Sequence, residues 1–426
     1  MIPSAPAPSE AGTVLVLACL MLVPLAIAGI ALINTGLGRS RSASHAMLTS
    51  LCAVSVAAAA YFVCGFAIQG FPGGPAHTIA AAGKQWNWIA AQPLFLRGLA
   101  LDASPACLIL WLQLLSVALA ALIPLGAGLD RWRLGAASAS TALLAGLVYP
   151  LFAHWVWGGG WLAQIGFVDA AGSAPVQAVG GLTALAMAWI LGPRRGKYSS
   201  EGGLPAAIPG HNAVLVLFAC FLVWTGWLGL NGAGAMLFGG APVGALVRVG
   251  LNTTLSAAMA GLAAAAITRV RFGRPDASLC ANGWIGGLAA SSAGCLFFDP
   301  AVAALAGLVA GALVVFTVEW LDIYGEIDDP TGSISVHAIG GIWGVLALGF
   351  FARSGSAVQP LAQVAGVATL LGFVLPLAYS LNWLLDRVSP QRVAPEGERQ
   401  GLDLHELGAG AAYPEFVIHR EDFLQR

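Results

Sequence analysis

Two polar residues, Gln177 and His337, lie 160 residues apart in two segments of similar sequence. The first segment begins at Asp169 and reads DAAGSAPVQAVGGL, and the second begins at Asp329 and reads DPTGSISVHAIGGI, so that seven of fourteen positions are identical. An amide and an imidazole can both donate and accept hydrogen bonds, and the imidazole can also take up a proton. The pattern predicts a paired site for a small polar solute, with a histidine satisfied inside the core as the alternative. One His and one Gln make a weak metal site, so no metal and no cofactor are predicted.

The two aspartates stand where each segment becomes apolar and helical in pattern. A carboxylate at a helix N-terminus can accept hydrogen bonds from free N–H groups and meets the positive end of the helix dipole. We therefore predict that Asp169 and Asp329 cap helices and support a nearby solute site. Gln177 and His337 follow eight residues later, roughly 12 Å along a helix at ~1.5 Å per residue.

The composition shows which kind of protein carries these segments. Of 426 residues, 58% are hydrophobic and 9% are charged, with a mean hydropathy of +0.81, whereas soluble domains carry roughly 25% charged residues. This excludes a cytosolic enzyme, a secreted disulfide scaffold and a disordered chain, and a net charge of −1 argues against nucleic-acid binding. No Ser/His/Asp set or pair of catalytic carboxylates has useful spacing, so the chain is not predicted to be an enzyme.

Eleven apolar stretches approach the ~20 residues that a membrane span needs. The predicted spans are residues 13–35, 47–69, 104–126, 135–157, 170–192, 212–232, 241–268, 279–297, 301–321, 333–352 and 360–386. The first span has no basic residue before it and is too long for a signal-peptide core, so it is predicted to be retained. The repeated segments begin spans five and ten, which enter from opposite sides. The predicted fold is therefore all-α, with a five-plus-five inverted repeat and an eleventh helix.

Basic residues orient these spans, because Lys and Arg concentrate in cytoplasmic loops. Ten of the 19 basic residues follow spans one, three, five and seven, namely Arg39, Arg41, Arg131, Arg133, Arg194, Arg195, Lys197, Arg269, Arg271 and Arg274. The N-terminus is therefore predicted to lie outside the plasma (inner) membrane and the C-terminus in the cytoplasm. Residues 1–388 form the predicted transmembrane domain, and 389–426 form a cytoplasmic tail.

The remaining chemistry-bearing residues are cysteines and tryptophans. The seven cysteines fall mostly in apolar stretches without a Cys-x-x-Cys pair, which is typical of helix-packing residues. Trp155 and Trp161 are predicted to anchor the chain at the membrane interface. Trp157, just before three glycines, could instead form a wall of an outer vestibule and attract a cation through its ring.

Several of these motifs, in this order, resemble the Amt/Mep/Rh ammonium transporter family. The matching segments are AHWVWGGG at 153–160 with Asp169 downstream, GWLGLN at 226–231, Asp328–Pro330 with His337, and EGERQGLD at 396–403 with Ala412 and Tyr413. The resemblance covers nearly the whole chain. It implies an eleven-helix protomer, a homotrimer, and one path for ammonium or ammonia through each protomer. It also implies a PII signal protein as a cytoplasmic partner, although LGAG at 407–410 replaces the family's usual tail motif.

The resemblance assigns roles residue by residue. It places Trp157 in the outer recruitment site, makes Asp169 a structural aspartate, and matches Gln177 and His337 to two pore histidines, of which the first is replaced. At four further positions this chain differs from the family. Ser116 and Leu230 replace the two phenylalanines of the gate. Gly234 replaces a serine of the outer site, and Gly332 replaces an aspartate that precedes the second histidine. Ala67 falls near a second outer serine, and Asn231 and Asp329 are expected to support the substrate path. These changes predict weaker recruitment and a broken proton relay, because an amide takes up no proton.

Four functions are compatible with these residues. The preferred one is channel-like transport of ammonium or ammonia. The alternatives are a non-conducting ammonium sensor that signals through its cytoplasmic face, a channel for another small neutral molecule or gas, and an ion-coupled transporter built on an inverted repeat.

Overall fold

The computed structural model describes residues 9–199, 203–352 and 358–408, and long helices dominate it. The long helices of the bundle are α1 (Glu10–Leu37), α2 (Ser40–Gln69), α3 (Pro105–Gly128), α4 (Leu134–Gln164), α5 (Ser173–Leu191), α6 (Ala213–Leu237), α7 (Val243–Phe272), α8 (Ala277–Gly294), α9 (Pro300–Ile323), α10 (Ile334–Phe351) and α11 (Pro360–Val388). Two short helices follow, α12 (Pro395–Gln400) and α13 (Leu402–Leu407). The predicted all-α membrane fold is confirmed.

Helix α8 is less apolar than the other predicted spans. By length and apolar character, ten helices of the described chain can cross a membrane, and α8 is not one of them. Its Asn282, Ser291 and Ser292 are buried, and the helix packs against α7, α9 and α10. Because α8 is surrounded largely by protein, it needs less apolar surface than a helix that faces lipid.

Helix ends follow local sequence rules. Pro105, Pro300 and Pro360 each occupy the first turn of a helix, where the missing N–H costs no hydrogen bond. The side chain of Asn212 accepts a hydrogen bond from Leu215 N at 2.9 Å at the start of α6, and Asp276 accepts one from Leu279 N at 2.8 Å at the start of α8. These caps fix where the spans begin.

Glycine lets α5 and α10 cross in direct contact at the centre of the bundle. A Cβ at Gly181 of α5 would collide with Ala338 of α10, and one at Gly341 of α10 would collide with Ser173 of α5. The same Cβ at Gly341 would lie 3.0 Å from Ala178 N, and Ala178 is the repeat equivalent of Ala338, so the two helices approach each other reciprocally. Small residues permit this approach, which is how helices associate tightly in lipid.

A β-hairpin between α2 and α3 was not predicted. Strands β1 (Ala76–Ala81) and β2 (Lys84–Ala90) pair antiparallel, and both turn residues, Ala82 and Gly83, have positive φ, as type I′ hairpin turns require. The hairpin lies against α4, where Trp155 Nε1 donates to Trp88 O at 2.8 Å. We call this end of the molecule the hairpin face.

The opposite end, the basic face, is formed by the segments that carry Arg39, Arg131 and Arg194 together with residues 389–408. Arg131 is fully buried, and its guanidinium donates to Gly192 O at 2.7 Å and Asp328 O at 2.8 Å. Residues 389–408 contact this face through Gln391, whose Oε1 accepts from Trp132 Nε1 at 3.1 Å. The predicted tail residues Ala412 and Tyr413 lie outside the described residues. All seven cysteines are free thiols.

Candidate functional site

Gln177 and His337 meet at the crossing of α5 and α10. His337 Nδ1 lies 2.8 Å from Gln177 Oε1, and both side chains are buried. Since an amide oxygen only accepts hydrogen bonds, Nδ1 carries the proton and Nε2 of the neutral imidazole is an acceptor. Gln177 Nε2 has no hydrogen-bond partner among the described residues. The pair therefore offers an N–H donor at Gln177 Nε2 and a lone pair at His337 Nε2.

Both residues lie in widened π-helical turns, Ser173–Ala178 in α5 and Ile334–Ile339 in α10. Such turns are frequent at functional sites because they shift side chains away from the regular helical positions. The repeat identified in the sequence thus gives the two helices the same local irregularity at equivalent places.

The aspartates hold the first turns of these helices. Asp169 Oδ1 accepts from Gly172 N at 2.6 Å, and Oδ2 accepts from Ala174 N at 2.7 Å. Asp329 Oδ2 accepts from Ile334 N at 2.7 Å. Asp169 is thus engaged by backbone N–H groups and fixes the start of α5.

Trp157 and Phe238 lie towards the hairpin face of the pair. Their rings are stacked, with centroids 4.4 Å apart and an interplanar angle of 8°, and Trp157 Nε1 donates to Asp169 O at 2.8 Å. Phe238 covers one face of the indole, and the Trp157 side chain is buried. Phe238 was not singled out in the sequence, although it follows Gly234 by one helical turn.

Gly234 is packed too closely to carry a serine side chain. A Cβ there would lie 2.6 Å from Ala170 O and 2.8 Å from the Cβ of Ala171. Residues 169–171 therefore pack against α6 in the space that the side chain of the family's outer-site serine would need.

Ser116, at the position of the first gate phenylalanine, lies in a polar cluster. Ser116 is hydrogen-bonded to Tyr149, and Tyr149 Oη donates to Gln113 Oε1 at 2.5 Å. All three residues are buried, and Gln113 Nε2 has no hydrogen-bond partner in the described part of the chain. Hydroxyl and amide groups therefore take the place of an aromatic ring here.

Leu230 and Asn231 lie on α6. Leu230 is buried and keeps the second gate position apolar. Asn231 Nδ2 donates to Thr253 Oγ1 at 2.8 Å and to Ser291 Oγ at 3.1 Å, so this amide joins α6 to α7 and α8. Its predicted support of the substrate path would be through helix packing, because these contacts are made away from the Gln177–His337 pair.

A narrow cavity of about 10 Å³ lies beside His337. It has apolar walls with a few polar groups, and its lining includes Ile30, Ile33, Asn34, Ile123, Ser333 and His337. Nearby Gly332 has a φ of +71°, and a Cβ there would lie 2.5 Å from Asn282 Nδ2. Asn282 therefore occupies the space that the aspartate of the family would need. Within the described residues, no three His, Cys, Asp or Glu side chains form a group that could hold a metal ion.

Comparisons with known proteins identify relatives along the full length. The sequence profile of the Ammonium Transporter Family matches residues 14–413. Ammonium transporter Amt2 of Archaeoglobus fulgidus is 34% identical over 430 residues, which cover 94% of this chain and 88% of the relative. The ammonium transporter of Bacillus subtilis is 28% identical over 92% of this chain and 96% of its own length.

Solved structures give the same fold. A protein described as "Sensor Amt Protein" superimposes with a TM-score of 0.84 at 29% identity, covering 93% of this chain and 98% of the other. Mep2 of Candida albicans superimposes with a TM-score of 0.79 at 24% identity, covering 91% of this chain and 87% of its own; this second likeness concerns the fold alone.

Proposed function

The chain belongs to the ammonium transporter family, and we propose that it passes ammonia as a neutral molecule through the Gln177–His337 pair. The observation that carries this proposal is the 2.8 Å hydrogen bond between Gln177 Oε1 and His337 Nδ1 at the buried crossing of α5 and α10. It leaves one unpartnered donor, Gln177 Nε2, and one imidazole acceptor.

Ammonia matches this arrangement and ammonium does not. The nitrogen lone pair of ammonia can accept from Gln177 Nε2, while one of its N–H groups donates to His337 Nε2. Ammonium has four N–H donors and no lone pair, so it cannot accept from the amide. Moving an unpaired cation into the bilayer core is also expensive, which favours deprotonation before the pair is reached.

The outer steps use the aromatic stack. Ammonium is recruited at the ring of Trp157, where a cation–π contact is worth ~0.5–2 kcal/mol. It then releases a proton to water on the hairpin face, and ammonia continues past Gln177 and His337 into the cavity on the other side. Because the amide of Gln177 cannot be protonated, no proton follows along this route, and transport is electroneutral.

The experiment combines two readouts on the reconstituted full chain. After an ammonium pulse, proteoliposomes should alkalinise inside faster than protein-free liposomes, and a solid-supported membrane should record no saturable current. Gln177→Leu and His337→Leu should each slow alkalinisation about tenfold, which is ~1.4 kcal/mol of barrier. The matched control is Thr183→Val on α5, whose hydroxyl bonds its own helix at Val179 O. Unchanged rates in both Leu variants, or a saturable wild-type current, would contradict the proposal.

A second candidate is an ammonium sensor that does not conduct. The full-length similarity to the protein described as a sensor supports it, as do the contacts of residues 389–408 with the basic face. A sensor would bind ammonium, as calorimetric titration would show, without accelerating liposome alkalinisation. Alkalinisation faster than in protein-free liposomes therefore favours the channel, and binding without it favours the sensor.

Assembly and orientation are also proposals. We propose a homotrimer in the plasma membrane with the basic face in the cytoplasm; exposed apolar side chains such as Phe218 on α6 and Leu262 on α7 suit lipid or a second copy. Native mass spectrometry should give three chains per particle. A PII protein is proposed as the partner of the basic face, and its co-purification should be lost when residues 390–426 are deleted.

A further inference from the structure

A second cavity, separate from the one beside His337, opens at the basic face. It has a volume of about 120 Å³ and lies between the segment after α5, helix α9 and the start of α10. The polar residues that line it include Arg194, Lys197, Asp322, Asp328, Asp329 and Ser335. His337 is not part of its lining, so the cavity is distinct from the proposed ammonia path.

The cations in this cavity are already neutralised. Arg194 Nε and Nη2 each lie 2.9 Å from a carboxylate oxygen of Asp328, and Lys197 Nζ lies 2.8 Å from Asp322 Oδ1. The carboxylate of Asp329 takes part in neither of these two pairs. Its Oδ2 is used by Ile334 N at 2.7 Å, whereas its buried Oδ1 has no hydrogen-bond partner among the described residues.

Ser335 supplies an independent second oxygen. Its side chain is fully buried, it lines the same cavity, and its Oγ has no hydrogen-bond partner in the described part of the chain. Serine inside a helix commonly bonds the carbonyl of the preceding turn, as Ser50 does with Ala46 O at 2.8 Å. Ser335 lacks that bond, so its hydroxyl is available to a ligand in the cavity.

We propose that Asp329 Oδ1 and Ser335 Oγ form a monovalent-cation site that binds ammonium at the basic face. An unpartnered carboxylate oxygen attracts positive charge, and two protein oxygens are too few for Ca²⁺, which takes 6–8 oxygen ligands. A primary ammonium group is already held by a carboxylate in this cavity, where Lys197 meets Asp322. The site lies where ammonium re-forms after ammonia has crossed, but its existence does not depend on conduction.

Crystals of the full chain soaked in thallium(I) acetate test the proposal, because Tl⁺ is a monovalent cation with strong anomalous scattering. We expect an anomalous peak between Asp329 Oδ1 and Ser335 Oγ that disappears when ammonium is added in excess. A site with no peak, where water bridges the two oxygens, would overturn the proposal. So would a peak that K⁺ displaces and ammonium does not.

Variants separate this site from the ammonia path. Ser335→Ala should abolish the peak and weaken ammonium binding, measured by calorimetry, about tenfold. The matched control Ser333→Ala, which removes a hydroxyl from the cavity beside His337, should keep the peak. His337→Leu should also keep it, so that loss of conduction and loss of this site are observed independently. Loss of the peak in all three variants alike would contradict the assignment.

Discussion

Replacing a pore histidine by Gln177 changes what the constriction can do with a proton. In the structure the amide accepts from His337 Nδ1 at 2.8 Å, and it has no group that ionises in the physiological pH range. A second imidazole at this position would restore a proton acceptor beside His337. The identity of residue 177 is thus expected to decide whether charge accompanies ammonia.

Gln177→His tests this expectation directly. The variant should gain a saturable ammonium-dependent current that wild type lacks, because paired imidazoles can pass a proton between them. Currents are recorded on a solid-supported membrane at equal protein density. Gln177→Asn, which shortens the amide without adding a titratable group, is the control, and equal currents in both variants would contradict the explanation.

The aromatic stack gives a second prediction at this scale. Trp157→Leu removes a cation–π contact worth ~0.5–2 kcal/mol, so the apparent KM for ammonium should rise roughly 2- to 30-fold with little change in maximal rate. Phe238→Leu should have a smaller effect in the same direction, because Phe238 orients the indole. Trp189→Leu at a half-exposed position on α5 is the control. A fall in maximal rate at unchanged KM would contradict a recruitment role.

Sequence reasoning found the central pair but not its surroundings. Gln177 and His337 could be predicted because the repeated segments fix their equivalence, and the two side chains are in contact in the structure. Phe238 carries no motif of its own, and its role depends on where α6 ends relative to Trp157. The polar cluster at Ser116 depends on Tyr149 and Gln113, which come from different helices and are brought together only by tertiary packing.

At the scale of elements, the predictions were accurate wherever long apolar periodicity dominates. The spans were located to within a few residues, and even α8, which is less apolar, was found. The hairpin β1–β2 was not, because its strands are short, mostly exposed, and stabilised by contacts to α4 that no local pattern reveals. Isolated two-stranded hairpins are marginally stable in water, so docking is what orders this one.

The crossing of α5 and α10 can be tested with added methyl groups. Gly181→Ala and Gly341→Ala should each push the helices apart and slow ammonia entry about tenfold, since a Cβ at either position collides with the opposite helix. Gly250→Ala on α7, where a Cβ meets nothing within 4 Å, should be silent in the same liposome assay. Wild-type rates in both crossing variants would show that the pair tolerates separation of the helices.

The last described segment acts as a cap on α2. Asp403 is fully buried, and its carboxylate accepts from His45 N at 2.7 Å and Ser44 N at 3.2 Å. Asp403→Ala should cost ~0.5–2 kcal/mol, as lost caps do, and expose residues 389–408 to limited proteolysis. Glu396→Ala removes an exposed pair with Arg399 and should leave the cleavage pattern unchanged. Equal protection in both variants would exclude this capping role.

Across the whole molecule, buried ion pairs at the basic face join elements that are distant in sequence. Arg194 contacts Asp328 at 2.9 Å and Asp130 at 3.2 Å, linking the segments that follow α3, α5 and α9. Burial acts to raise the pKa of Asp328, but hydrogen bonds and charge from Arg194 outweigh it and lower the pKa to about 2. The same carboxylates hold the segment that leads into α10 and hence His337.

The sign of this shift predicts how stability depends on pH. Because the folded pKa of about 2 lies below the unfolded value of ~3.9, the contribution of Asp328 is complete above about pH 4 and is lost as pH falls towards 2. The melting temperature in detergent should therefore show no contribution from this group between pH 5 and 8. A decline within that range that Asp328→Asn removes would contradict the assignment.

Removing the charge should have a much larger effect than acidification to pH 5. Asp328→Asn leaves Arg194 buried without its principal counterion, and breaking such a pair costs ~3–5 kcal/mol. Glu319→Gln breaks the Arg271–Glu319 contact of 2.8 Å, in which the arginine is 45% exposed, and should cost ~0–1 kcal/mol. The melting temperatures of Asp328→Asn and Glu319→Gln are compared by thermal unfolding. A larger loss in Asp328→Asn would show that the buried ion pairs at the basic face hold the start of α10, whereas the exposed pair contributes little. If both variants melt alike, the basic face does not position His337 through Asp328, and the Gln177–His337 geometry must be maintained by the crossing of α5 and α10 alone.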